Sequence, residues 1–225
     1  MVAMQTIHRR TRLATDERGF TLAELMVATV VSMMVLGGAV ALTSQVQNGY
    51  RRQMEDATAI QEARYALDWL GRLIRGAGNN PYGVETTDCP DLLTPIRAIE
   101  LDPNDDGVDD DIRIQADNNP TDGVFGGTVG ACDQANEDVT IWLDRDNSVI
   151  VFLDNNLGGA ATVRTDQVID DLRFIYRSPE RNITADPEDV AYVEVQITVR
   201  TRTADPATGA PVTRTLTQEF RVRGR

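Results

Sequence analysis

Lysine is absent from this 225-residue chain, and histidine occurs once, at His8. All 22 basic side chains are therefore arginine. Without a histidine beyond residue 8, most of the chain lacks the usual general base, the Ser-His and Cys-His nucleophile pairs and the common zinc ligand sets. Carboxylate-only catalysis, as in glycosidases, is left, but a surplus of acids points to no specific pair. An enzyme is not expected. Basic charge is scarce as well: 35 acidic residues give a formal net charge of -13 and a pI near 4.5. Phosphate backbones are bound by displacing counterions with a basic surface, so direct contact with nucleic acid is not expected. Aromatic residues make up 5% of the chain, with Trp69 and Trp142 its only tryptophans, which leaves little for an aromatic ligand-binding patch.

The apolar content of 41% is that of a folded protein, and the length allows one ordinary domain plus a long appendage. Cys89 and Cys132 are the only cysteines. In an exported chain the even number reads as a disulfide, and closing that loop is worth roughly 4 kcal/mol on the chain-entropy estimate. Two unpaired thiols are the alternative.

The first 18 residues carry Arg9, Arg10, Arg12 and Arg18, and an apolar run begins directly after them at Phe20. Basic residues before a span hold that end in the cytoplasm. From Leu25 to Leu42 there are 18 residues without a charge, at the short edge of what crosses a bilayer as a helix. A secretory signal peptide would have a shorter apolar region ending at a small-residue cleavage site, whereas here the helical pattern runs on. Glu24 is the exception, five positions into the apolar run that begins at Phe20. An ionisable group in such a place is costly and is usually kept for a function with a partner nearby.

The residues Glu17-Arg18-Gly19-Phe20-Thr21-Leu22-Ala23-Glu24-Leu25-Met26-Val27-Ala28 resemble the leader junction of type IV prepilins and of type II secretion pseudopilins. The resemblance implies cleavage between Gly19 and Phe20 by a prepilin peptidase and N-methylation of Phe20. It also implies that Glu24 meets the N-terminal amine of a neighbouring subunit as a filament grows. A pair at about 4 Å is worth roughly 4 kcal/mol at an effective dielectric near 20, before desolvation is subtracted. A Glu24 that merely sits at headgroup level is the alternative. Loss of residues 1–19 would leave 18 basic against 33 acidic side chains, a charge of about -15.

Past the span, Ile60, Ala63, Leu67, Leu70 and Ile74 recur at spacings of three and four, which marks an amphipathic helix with a narrow apolar face. Gly76-Ala77-Gly78-Asn79-Asn80-Pro81 stops it. One helix from Phe20 to Arg75 would reach about 84 Å at 1.5 Å per residue. Gly37 and Gly38 suit either a bend or close packing between helices. The organisation expected is therefore a leader over 1–19, a membrane-spanning or filament-core helix over 20–46, an amphipathic helix over 47–76 and a β-rich head over 77–225.

Strands are expected at Ile112–Gln115, Val139–Leu143, Val149–Leu153, Leu172–Tyr176, Val190–Thr201 and Val212–Val222, with a hairpin turn over Leu143–Val149. The alternation from Val193 to Arg200 is the clearest, and its apolar side should cover the amphipathic helix. The fold class is α+β, a long N-terminal helix on a mainly antiparallel sheet. Length and pattern are similar to those of PilW-like minor pilins and of J-type pseudopilins.

The segment Asp102-Pro103-Asn104-Asp105-Asp106-Gly107-Val108-Asp109-Asp110-Asp111 places oxygen side chains at relative positions 1, 3, 5 and 9 and a glycine at 6. An EF-hand loop uses those positions and the carbonyl at 7 to hold calcium. The ligands would be Asp102, Asn104, Asp106, Val108 and Asp110, completed by Asp109, Asp111 or water. Position 12 is Arg113, so the bidentate carboxylate is missing and affinity should be weak, about 10⁻⁴ to 10⁻³ M. A solvated acidic turn is the alternative.

The function that the resemblance implies is that of a minor pilin, anchored in the bacterial inner membrane with its head in the periplasm and then built into a pilus or pseudopilus. Its partners would be the prepilin peptidase, the membrane and other pilin subunits. A type II secretion pseudopilin, and a pilus-borne adhesin or DNA-uptake subunit, are the other readings.

Overall fold

A computed structural model describes residues 19–87, 89–90, 92–119, 123–127 and 131–223. Most of the expected leader thus lies outside the described residues. The architecture is α+β, as the pattern implied: among the described residues helix α1 (Leu22–Gly76) is followed by eight strands in two antiparallel sheets. The chain divides into two compact units, with the boundary between Gly49 and Tyr50.

The first unit holds the apolar part of α1. It is long and apolar enough to cross a membrane, and none of the apolar window is buried. Phe20 is 88% exposed, and Leu25, Met26, Val30, Met33, Leu36 and Leu42 all stand in the open. Ideal Cβ atoms at Gly37 and Gly38 would touch nothing.

In the second unit α1 turns one face inward. Ala59, Ala63, Ala66, Leu67, Leu70 and Ile74 are buried, at spacings of three and four. Small residues on that face let a sheet approach the helix backbone. At Gly71 an added Cβ would lie 2.2 Å from Cε1 of Phe220, so the phenyl ring occupies the place a side chain would take.

The larger sheet runs β1 (Ile99–Leu101), β2 (Asp111–Gln115), β3 (Asp138–Asp144), β4 (Val149–Asp154) and β5 (Thr162–Val163), in that spatial order. The smaller runs β6 (Ile169–Arg177), β7 (Tyr192–Ala204) and β8 (Pro211–Arg221). The strand order, which the sequence pattern left open, is sequential in both. Every pairing joins neighbours along the chain, so each sheet is a meander of hairpins. In β7, Val193, Val195, Ile197 and Val199 are fully buried while the residues between them are not, as a half-covered strand requires. They share one core with the inner face of α1 and with Ile112, Ile141, Ile150 and Phe152 of the larger sheet. A smaller cluster of Cys89, Leu92 and Phe125 lies apart from it.

The sheets meet along the start of β2 and the middle of β6. Phe174 of β6 donates its N–H to the carbonyl of Asp109, just ahead of β2, at 2.8 Å. Polar side chains of α1 hold the β7–β8 hairpin. Glu55 accepts from the Thr203 N–H at 3.0 Å and its hydroxyl at 2.8 Å, and Asp56 pairs with Arg214 at 3.3 Å.

Candidate functional site

The start of α1 is built by Thr21 and Glu24. Thr21 precedes the first helical residue and Glu24 stands three positions later, the spacing of a reciprocal capping box. The Thr21 N–H donates to Glu24 Oε2 at 2.9 Å, the Thr21 hydroxyl donates to the same oxygen at 2.9 Å, and the Glu24 N–H donates to Thr21 Oγ1 at 3.2 Å. Two donors of the first turn, which have no carbonyl partner in the helix, are thereby satisfied. That matters most where water is scarce. Glu24 thus has a task within its own chain that the sequence reading did not assign, although the Thr-x-x-Glu spacing was there to be seen. Both Thr21 donors converge on Oε2, which leaves Oε1 for another. Gly19 and Phe20 lie just ahead of the helix, in exposed, irregular chain.

The acidic loop joins β1 to β2. Asp102 Oδ2 accepts from the Gly107 N–H at 2.8 Å and Oδ1 from the Asp106 N–H at 3.2 Å. Asn104 Oδ1 accepts from the Asp106 N–H at 2.9 Å, and Asp106 Oδ1 from the Val108 N–H at 2.8 Å. The first, third and fifth positions are therefore gathered around the loop's own backbone, and Gly107 provides the positive φ of 79° at its sharpest point.

Asp110 is directed elsewhere. Its Oδ2 receives the Arg145 guanidinium at 2.8 Å and 2.9 Å, and the same arginine reaches Asp171 at 3.2 Å. Burial raises the Asp110 carboxyl above its ordinary value, and the Arg145 contacts oppose the rise. Arg145 lies 35 residues from Asp110, with no local signal to announce it.

Asp111, the first residue of β2, is 1% exposed. Its Oδ2 accepts from the Asn104 N–H at 3.2 Å, and its Oδ1 has no hydrogen-bond partner. Burial pushes this carboxyl up to about 7; the Asn104 N–H acts against the rise and the charges of Asp102, Asp110 and Asp106 add to it. Among the described residues no three His, Cys, Asp or Glu side chains gather as a metal-holding group.

Cys89 and Cys132 form a disulfide, 43 residues apart. It closes over Phe125 and Leu92. Nearby, the fully buried Asp138 carboxylate accepts from Arg113 at 2.6 Å and 2.8 Å, from Gln115 at 2.7 Å and from Asn155 at 2.7 Å, tying β2, β3 and the chain after β4 together.

Residues 15–40 match the Prokaryotic N-terminal methylation motif. A type IV pilin-like signal joined to an exposed apolar helix supports a pilin or pseudopilin that is processed by prepilin peptidase. Its α+β architecture, with one long N-terminal helix and antiparallel sheets, is consistent with a pilin-like fold. No curated protein and no solved structure matches the chain.

Proposed function

We propose that the chain is a PilW-like minor pilin that supports the assembly or priming of a type IV pilus, and that it acts by packing rather than by catalysis. It waits in the inner membrane with the head in the periplasm, and then moves into the filament beside other pilin subunits. The observation that carries this reading is the bare apolar stretch of α1 headed by a capped Glu24. Burying one large aliphatic side chain is worth about 1.5–3 kcal/mol, so a dozen of them in water forfeit on the order of 20 kcal/mol. A lipid bilayer recovers that energy before assembly, and the helices of neighbouring subunits recover it afterwards. Glu24 suits both states, since Thr21 holds one carboxylate oxygen and the other is left for a neighbour's amine.

The test compares Glu24→Ala with Thr21→Ala in cells that process the chain. Both lose the capping box, at a cost of about 1 kcal/mol. Only Glu24→Ala loses the carboxylate, so it should be cleaved normally yet be depleted from sheared filaments, whereas Thr21→Ala should remain. Normal recovery of Glu24→Ala in filaments refutes the assembly role, and equal depletion of both variants reduces Glu24 to a helix cap.

A further inference from the structure

We propose that the β1–β2 loop is a calcium site whose ligands are the side-chain oxygens of Asp102, Asn104, Asp106 and Asp111 and the carbonyl of Val108, with Asp110 outside it. What separates this loop from a solvated acidic turn is Asp111. It is 1% exposed, its Oδ2 already faces the loop through the Asn104 N–H, and its Oδ1 is buried without a partner. A buried carboxylate oxygen that accepts nothing is a standing cost, and a cation in the loop removes it.

Asp111 also supplies what the spacing lacked. An EF-hand closes on a bidentate Glu at position 12. Here Asp111, at position 10 and the first residue of β2, brings an acid to the loop two residues sooner. Asp110, one residue before, is held by Arg145, which also reaches Asp171.

The hydrogen bonds that Asp102 and Asp106 accept do not preclude coordination. A carboxylate offers about four lone-pair sites, and each backbone N–H uses one. These bonds orient the carboxylates on the loop's own N–H groups; in the structure they do not gather with Asp111 as a metal-holding group, so binding requires these side chains to turn toward a common point. The donor set consists of oxygens alone, including an amide and a carbonyl, which suits a hard, adaptable ion such as calcium better than zinc or copper. Magnesium demands stricter octahedral geometry and gives up its water reluctantly.

Binding here also has a structural consequence. The Asp109 carbonyl accepts from Phe174 in β6 and the Asp111 carbonyl accepts from the Tyr176 hydroxyl at 3.3 Å. Calcium would therefore fix the seam between the two sheets, whatever the role of the N-terminal helix.

The measurement is terbium luminescence on the full-length processed chain in detergent, followed by displacement with calcium chloride. Trp142 stands opposite Asp111 across β2 and β3 and acts as the sensitiser. Terbium should give a signal that calcium displaces at roughly 0.1–1 mM and that magnesium displaces only at higher concentration. Asp111→Asn, which keeps the size of the side chain, should weaken calcium at least about tenfold, and Asp110→Asn by less than about threefold. If Asp111→Asn does not fold, Asp106→Asn at an exposed position carries the same expectation. The proposal is overturned by the absence of any signal that calcium displaces up to about 10 mM. It is overturned equally by unchanged affinity in Asp106→Asn or Asp111→Asn, or by a loss in Asp110→Asn as large as that in Asp111→Asn.

Discussion

Gly71→Ala should destabilise the second unit, although in an isolated helix the same change stabilises. Replacing glycine by alanine within a helix gains about 0.8–1 kcal/mol from backbone entropy. Against that stands Phe220, whose Cε1, Cζ and Cδ1 would lie 2.2, 2.6 and 2.8 Å from the new methyl carbon. The ring must retreat by more than about 1 Å to reach ordinary carbon contact, near 3.5–4.0 Å. It has little freedom to do so. Phe220 is 3% exposed, belongs to the main core and lies under the Arg75 guanidinium at 5.3 Å. Overpacking of a filled core costs about 1–3 kcal/mol, and an approach of 2.2 Å to a buried ring puts this site in the upper half, about 2–3 kcal/mol, so the net loss is about 1–2 kcal/mol once the helix gain is subtracted. For a unit of this size that corresponds to roughly 2–8 °C in melting temperature.

Gly49→Ala is the control, because it lies in the same helix and its methyl group would meet nothing. It should be neutral or stabilising. Thermal unfolding of wild type and both variants in one detergent separates propensity from packing. Phe220→Leu in the Gly71→Ala background should cost less than Phe220→Leu alone, because the smaller side chain makes room. A Gly71→Ala protein that melts at or above wild type refutes the close helix–sheet contact.

Alkylation without reductant should label neither Cys89 nor Cys132, and reduction should expose both; opening the bridge should lower stability by about 2–4 kcal/mol. Labelling of both thiols in exported, unreduced protein would contradict the bond. Asp138→Ala should be far more harmful than a surface change, by about 3–5 kcal/mol, because it leaves Arg113, Gln115 and Asn155 without their shared acceptor. Chemical denaturation of the variant tests this, and a loss under about 1 kcal/mol would show that the network is not holding β2 and β3 together.

The helix was legible almost to its ends, from Phe20–Arg75 in the pattern to Leu22–Gly76 in the structure, because apolar spacing and the Gly-Ala-Gly-Asn stop are local signals. The start moved by two residues because Thr21 takes the cap. Six strands were legible from their β-branched runs. The two missed, β1 and β5, have three and two residues, too few to show alternation, and β5 is exposed throughout. β6 begins earlier than its apolar run because Asp170 and Asp171 conceal its start; Arg200 and Arg145 pair with them at 3.4 and 3.2 Å. The acidic loop was legible as a motif, but which aspartate faces it was not. That depends on where β2 begins and on an arginine in the β3–β4 turn, and neither is encoded within the loop.

The direct test of a pilin-class chain is the mass of its N-terminal peptide, taken from membranes of cells with and without active prepilin peptidase. With the peptidase, the chain should begin at Phe20 and carry one methyl group on its amine; without it, residues 1–19 should remain. A chain that keeps Met1 in the presence of active peptidase, or that starts at an unmethylated residue beyond Glu24, contradicts the assignment.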